Sequence, residues 1–77
     1  MVISESDRKS ILKVLDDVKP YIVEFSLLEQ LNIQCMESSD SIKEFMTKLD
    51  RQENRLDPVP RTDLRIYLGR LRKEFKQ

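Results

Sequence analysis

The chain has 77 residues, of which 39% are hydrophobic and 36% are charged, and its 14 basic side chains equal its 14 acidic ones. This composition is too apolar for a disordered chain, and one glycine with three prolines supplies too few turn residues for an all-β domain. We therefore expect a single helical domain over residues 1–77, close to the smallest size that builds its own core.

The first helix is predicted over residues 6–19. Ser4 and Asp7 have the spacing of a capping box, with aspartate in place of the usual glutamate. The apolar residues that follow have the period of one helix face. They are Ile11, Leu12, Leu15 and Val18, with Val14 at the margin. Pro20 lacks a backbone N–H, so we expect it to end or bend this helix.

A second helix is predicted over residues 20–32, because proline is tolerated in a first turn and helical spacing resumes at once. Its apolar positions are Tyr21, Ile22, Phe25, Leu28 and Leu31. The apolar segment 33–36 is predicted to be a connection beneath the bundle. It contains Cys35, which we interpret as a small core residue because the chain has no histidine to activate the thiol.

The third helix is predicted over residues 40–53, after a cluster of N-capping residues at positions 38–41. Glu44 and Lys48 have the spacing of an i, i+4 ion pair. The apolar face of this helix is formed by Ile42, Phe45, Met46 and Leu49. Segment 54–60 contains two prolines, so we predict a loop there rather than a helix or a strand.

The fourth helix, over residues 62–76, has the strongest helical periodicity in the chain. Its apolar seam consists of Leu64, Tyr67, Leu68, Leu71 and Phe75. Thr62 or Asp63 is predicted to cap the start of this helix, with Pro60 just outside it. The seam needs a bundle beneath it, while the other faces carry mainly arginine and lysine.

These patterns predict an all-α fold, a compact antiparallel bundle of four principal helices, or five if residues 33–38 add a turn. Leu56 and Val59 are predicted to anchor the loop before helix four. The predicted core consists of Ile11, Leu15, Val18, Ile22, Phe25, Leu28, Leu31, Ile42, Phe45, Met46, Leu49, Leu64, Tyr67, Leu68, Leu71 and Phe75.

Charge is divided unevenly along the chain. Residues 1–38 contain 4 basic and 7 acidic side chains, and residues 39–77 contain 10 basic and 7 acidic ones. Two such halves on one small body favour head-to-tail association between copies.

The predicted partner-binding surface combines a basic face of helix four with an acidic face of helices one and two. On helix four it comprises Arg65, Ile66, Gly69, Arg70, Arg72, Lys73 and Lys76. On the first two helices it comprises Asp16, Asp17 and Glu24. Ile66 lies far from the seam and is predicted to be the exposed apolar centre of a charged contact patch. A docking surface for an acidic protein, a nucleic-acid surface and a merely solvated face are the alternatives.

The later part of the chain resembles death effector domains, which belong to the death-fold superfamily together with caspase-recruitment domains. The resemblance covers residues 45–75. It lies in FMTKL at 45–49, QENRL at 52–56, the proline-bearing loop, and LRIYLGRL at 64–71.

The death effector family ends this helix in Arg-x-Asp-Leu, and the sequence RKEF at 72–75 has that shape, with glutamate for aspartate and phenylalanine for leucine. In the family, the arginine and the acid form a surface charge triad with an acid of helix two, and Glu24 is the best-placed residue here. The resemblance implies a six-helix antiparallel bundle that forms filaments or recruits like domains.

The chain has no histidine, no second cysteine and no glycine-rich phosphate loop. We therefore expect a non-catalytic interaction module, an adaptor or a signalling or regulatory domain, with no cofactor, metal or small-molecule substrate. The alternative is a small DNA-binding or transcription-regulatory protein that uses helix four. We also expect a cytoplasmic protein, because the sequence has neither a signal-peptide pattern nor a run of roughly 20 apolar residues.

Overall fold

Four α-helices and two short 3₁₀ turns make up most of residues 3–75, the part of the chain that the computed structural model describes. The helices are α1 (Glu5–Val18), α2 (Phe25–Glu37), α3 (Ile42–Gln52) and α4 (Pro58–Phe75). The 3₁₀ turns are Lys19–Tyr21 and Glu53–Arg55. The predicted all-α bundle of four principal helices is confirmed.

Helix α1 begins at its predicted cap and ends before Pro20. The Ser4 hydroxyl accepts a hydrogen bond of 3.2 Å from the Asp7 N–H. Pro20 lies in the 3₁₀ turn, and Ile22 has extended backbone angles (φ −101°, ψ 132°), so the break predicted at Pro20 is confirmed. The prediction for Leu12 is wrong, because this side chain is exposed on the outer face of α1. The buried face is Ile11, Val14, Leu15 and Val18, at the spacing i, i+3, i+4 and i+7.

The prediction for the second helix is wrong at both ends. Helix α2 begins at Phe25 rather than at Pro20 and continues to Glu37. Residues 33–36 are therefore part of its last turns, and not a connection. Ser38 and Ser39, two residues of the cluster predicted to cap helix three, instead close the end of α2, where the Ser39 hydroxyl donates to the Cys35 carbonyl at 2.6 Å. The buried face of α2 consists of Leu28, Asn32, Cys35 and Met36.

Helix α3 lies within two residues of its predicted limits. The Ser41 hydroxyl accepts from the Glu44 N–H at 3.2 Å, which satisfies one of the free donors of the first turn. The predicted ion pair is also present, with Lys48 Nζ 3.7 Å from Glu44 Oε1. These local signals are sufficient because each acts over three or four residues.

Helix α4 begins at Pro58, so the predicted loop 54–60 is wrong for its last three residues. A helix can include these prolines because the first N–H groups of any helix lack an intrahelical acceptor, and proline removes only such a group. The first intrahelical bond runs from the Arg61 N–H to the Asp57 carbonyl, at 2.9 Å. The predicted cap at Thr62 or Asp63 is also wrong, since both lie inside the helix.

Helix α4 is central, because it contacts each of the other three helices, and α1 most extensively. Leu64, Tyr67, Leu68 and Leu71 of its predicted seam are at most 1% exposed. The remaining buried apolar residues are Ile3, Ile11, Val14, Leu15, Val18, Leu28, Cys35, Met36, Phe45, Met46 and Leu49. Five residues predicted for the core are only half-buried at its edge: Ile22, Phe25, Leu31, Ile42 and Phe75.

A polar pair lies inside this core. The Tyr67 hydroxyl donates to the Asn32 side-chain oxygen, and both residues are fully buried. Burial raises the pKa of Tyr67 well above its usual range, and the nearby Cys35 adds to the rise. Within residues 3–75, the Asn32 side-chain nitrogen has no hydrogen-bond partner. The pair thus fixes the placement of α2 against α4, at the cost of one unsatisfied donor.

Replacing Tyr67 by phenylalanine is expected to destabilise the fold by about 1–3 kcal/mol, because the Asn32 oxygen then loses its donor in a dry core. Adding Asn32→Leu removes all the unpaired polar atoms, so the double variant should be more stable than Tyr67→Phe alone. Urea denaturation of the single variants and the double variant measures this coupling. A strictly additive double variant would contradict the assignment of this pair.

Candidate functional site

Asp63 is a buried carboxylate that holds the start of a different helix. It is 2% exposed, and its oxygens accept from the Val23 N–H at 3.1 Å and the Glu24 N–H at 2.8 Å. Glu24 is the N-cap position of α2 and its own side chain makes no capping bond. Because a helix N-terminus has free donors and a partial positive charge, a carboxylate there is well placed. Asp63 therefore caps α2 from α4.

This contact fixes a non-helical connection whose apolar side chains face solvent. Tyr21 is 71% exposed and Val23 is 76% exposed, the two highest values among the large apolar residues of segment 3–75. Their backbone is held by Pro20, by the 3₁₀ turn and by the Asp63 carboxylate. The Tyr21 and Val23 side chains are thus held in one arrangement on the surface and do not pack into the core.

The same residues border a groove that continues onto the first turns of α4. The groove has a volume of about 300 Å³ and is lined mainly by apolar side chains. Val59 contributes a side chain that is 47% exposed, which corrects its predicted role as an anchor to the core. We call this surface the apolar platform and define it as Tyr21, Val23, Pro58, Val59 and Ile66.

The start of α4 next to the platform has few backbone donors. Pro58 and Pro60 have no N–H, and the Arg61 N–H is bonded to the Asp57 carbonyl. The Thr62 hydroxyl is bonded to the Pro58 carbonyl at 3.0 Å. A partner that covers this helix end therefore buries few unpaired backbone donors, which limits the desolvation cost of the backbone.

Two exposed acidic residues adjoin the platform. Glu24 follows Val23 directly, and Asp57 precedes Pro58; both are exposed, and neither forms an ion pair with a residue in 3–75. Two cations in the same part of the chain are engaged elsewhere. Lys19 lies 5.1 Å from the centre of the Phe25 ring, and Arg61 donates to the Glu53 and Leu56 carbonyls.

Two of the cations predicted for the partner-binding surface are engaged by acids of the same chain. Arg65 is paired with Glu53, and Arg72 Nη2 lies 3.5 Å from Asp50 Oδ1. Both pairs connect α4 with α3 or the turn after it. The positive charge that these residues offer to a partner is correspondingly reduced.

Three other predicted residues share one groove within the molecule. Asp17 lines it from α1, and Arg70 and Lys73 line it from α4. The acidic and basic faces that were predicted to meet between two copies therefore already lie side by side in one chain at these positions. Helices α1 and α4 run in opposite directions. Asp17 lies near the last turns of α4, whereas Tyr21, which follows α1 in the chain, lies near the first turn of α4.

The remaining predicted site residues are scattered. Ile66 is half-buried and packs against the core, which corrects its predicted exposure. Gly69 is half-exposed, and no atom lies within 4 Å of the position that a Cβ would occupy, so packing does not require glycine there. Asp16 is exposed on α1, away from the groove that Asp17 lines. Lys76 lies outside the described residues.

A third groove, of about 310 Å³, lies between α2 and α3 and is polar. Arg51 and Arg55 line it, and Lys48 is already bonded to the Ser38 carbonyl. Burial raises the pKa of the Cys35 thiol at its floor, although the Lys48 charge partly offsets the rise. The thiol therefore stays protonated near neutral pH and is a weak nucleophile.

Two features of the sequence indicated the platform, but the prediction of a helix over residues 20–32 left them unused. Asp63 lies four residues before Tyr67 and eight before Leu71, which places a carboxylate on the buried seam of α4. An acid at such a position needs donors. Val23 lies off any seam of a helix that begins at Pro20. Neither signal identifies the donors, which are contributed by a distant segment.

No protein-family model, curated protein or solved structure matches this chain. Within residues 3–75, no group of three or more histidine, cysteine, aspartate and glutamate side chains is arranged to hold a metal ion. None of the helices in that part of the chain has the length and apolar character needed to cross a membrane.

Proposed function

We propose that this chain is a non-catalytic protein-interaction domain whose contact surface is the apolar platform. The observation that carries this proposal is the exposure of Tyr21 and Val23, at 71% and 76%, on a backbone held by a buried carboxylate. An exposed apolar cluster with a fixed backbone has little conformational entropy to lose on binding. Tyrosine and branched aliphatic side chains around a groove are also suited to bury a partner's apolar residues.

The absence of histidine from the sequence and the protonated state of the Cys35 thiol support a non-catalytic role. A single cysteine, which cannot form a disulfide within the chain, suits the cytosol, where we propose that the domain acts. An adaptor, signalling or regulatory role is consistent with a small domain that presents one binding surface.

The death-fold relationship remains a prediction. The charge triad that it implies would join Arg72 and Glu74 with Glu24. Arg72 instead pairs with Asp50, while the Glu24 backbone is bonded to Asp63, about 13 Å before Arg72 along the axis of α4. Homotypic assembly by way of that triad therefore has less support than binding at the platform.

The two alternatives based on charge also have less support. Head-to-tail association and DNA binding both need free cations on α4, but Arg65 and Arg72 are paired with acids, and Arg70 and Lys73 share a groove with Asp17. Light scattering over a concentration series and a salt-dependent shift with duplex DNA are the measurements that would favour them.

The platform is tested with peptides selected from a random phage-displayed library against the wild-type chain. We expect the double variant Tyr21→Ser with Val23→Ser to bind the selected peptides at least about tenfold more weakly, because central apolar contacts carry most of the energy of such interfaces. Peptide affinity is measured by fluorescence anisotropy, and the thermal midpoint shows that the variant is folded.

The matched control is Leu12→Ser with Ile33→Ser. These residues are also exposed and apolar, at 45% and 41%, but lie outside the platform. The control variant should bind the peptides like the wild type. If no peptide is enriched, or if both double variants lose the same affinity, the platform is not the contact surface.

A further inference from the structure

We propose that the partner at the apolar platform is a segment of another protein that combines aliphatic or aromatic side chains with lysine or arginine. This inference rests on the proposed function and adds the chemistry of the partner to it. It depends on the charges beside the platform and on the backbone groups that a partner would cover.

The acidic border is the first argument. Glu24 and Asp57 lie at the two sides of the platform, one before α2 and the other before α4, and both are exposed. The Asp63 carboxylate also lines the groove. The nearby cations Lys19 and Arg61 are engaged with Phe25 and with backbone carbonyls. Neutral partners leave these two cations charged, but the three carboxylates outnumber them, so a cationic side chain on the partner would meet net negative charge.

The helix end is the second argument. Helix N-termini usually attract anions through their free N–H groups. In α4, positions 58 and 60 are prolines and have no N–H, and the Arg61 N–H is bonded to the Asp57 carbonyl. An acidic partner would thus find few donors at this end and two carboxylates beside it. An apolar segment with basic flanks is the better match.

A second copy of this chain is a poorer occupant in a symmetric arrangement. Face-to-face contact of two platforms would bring Glu24 and Asp57 of one copy close to the same residues of the other. Like charges in apposition oppose association. On α4, Arg65 beside Ile66 is paired with Glu53, and Arg70 shares a groove with Asp17.

The experiment compares peptides selected by the wild type with those selected by the charge-reversed variant Glu24→Lys with Asp57→Lys. We expect wild-type peptides to be enriched in lysine and arginine beside apolar residues, and the variant's peptides in aspartate and glutamate. The wild-type peptides should lose at least about tenfold in affinity for the variant. Glu5→Lys with Glu37→Lys is the control, since it makes the same charge change far from the platform.

The possible results separate this inference from the proposed function. If the peptides need Tyr21 and Val23 but carry no excess of basic residues, or bind both charge variants alike, the partner chemistry is wrong and the platform stands. If the peptides do not need Tyr21 and Val23, both are wrong. If the wild type forms dimers at micromolar concentration and the double variant Tyr21→Ser with Val23→Ser does not, the partner at the platform is a second copy of this chain rather than a foreign segment.

Discussion

Replacing Asp63 by alanine is expected to lower the free energy of unfolding by about 2–4 kcal/mol. The substitution removes two hydrogen bonds to a charged acceptor, and it leaves the N–H groups of Val23 and Glu24 without their protein partner. Water can reach these partly exposed groups, so the expected loss is smaller than the sum for two fully buried bonds. Urea denaturation followed by circular dichroism measures the change.

Amide hydrogen exchange tests the mechanism of this loss. In Asp63→Ala, the Val23 and Glu24 amides should exchange faster relative to the centre of α4, because the connection before α2 is released. Asp63→Asn keeps one acceptor oxygen and places an amide donor against the second N–H, so it should fall between alanine and wild type. If the alanine variant is as stable as wild type and exchanges equally at these two amides, Asp63 does not cap α2.

Replacing Leu68 by alanine is expected to cost about 2–5 kcal/mol, the range for removing a buried leucine side chain. Leu68 is 1% exposed and belongs to the helix that contacts all three others. For a domain of this size, such a loss lowers the thermal midpoint by about 8 °C or more. It would also remove a large part of a stability that is expected to be small.

Leu12→Ala is the matched control for this substitution. Leu12 is also a leucine in a helix interior, but it is 45% exposed, so its truncation leaves no closed cavity. We expect a change within about 1 kcal/mol. Equal thermal midpoints for the two variants would show that the seam of α4 is not the core of the bundle.

Helix α4 contributes side chains both to the core and to the platform. Helix α4 buries Leu64, Tyr67 and Leu68, while Val59 and Ile66 contribute to the platform. Asp63 connects the core with the platform, because it is buried and also fixes the exposed connection before α2. Asp63→Asn should consequently weaken peptide binding in addition to lowering stability, without removing any platform side chain.

The sequence by itself determined the features that depend on neighbours within a few residues. Ser4 caps α1 where its spacing predicted, and Ser41, one residue of the predicted capping cluster, caps α3. Pro20 interrupts the helical pattern, and the period of the α4 seam predicted the burial of Leu64, Tyr67, Leu68 and Leu71. These effects are local, because a cap reaches two or three residues and a helix repeats its faces every three or four.

Only the tertiary structure decided where α2 begins and which surface is free. The bonds that fix its start join residues 39 and 40 positions apart, between Asp63 and the backbone of Glu24 and Val23. The pairing of Arg65 with Glu53, 12 positions away, likewise removed a cation from the predicted partner-binding surface. Such contacts depend on how whole helices pack, so a carboxylate, an arginine or an exposed tyrosine acquires its role only once its distant neighbour is in place.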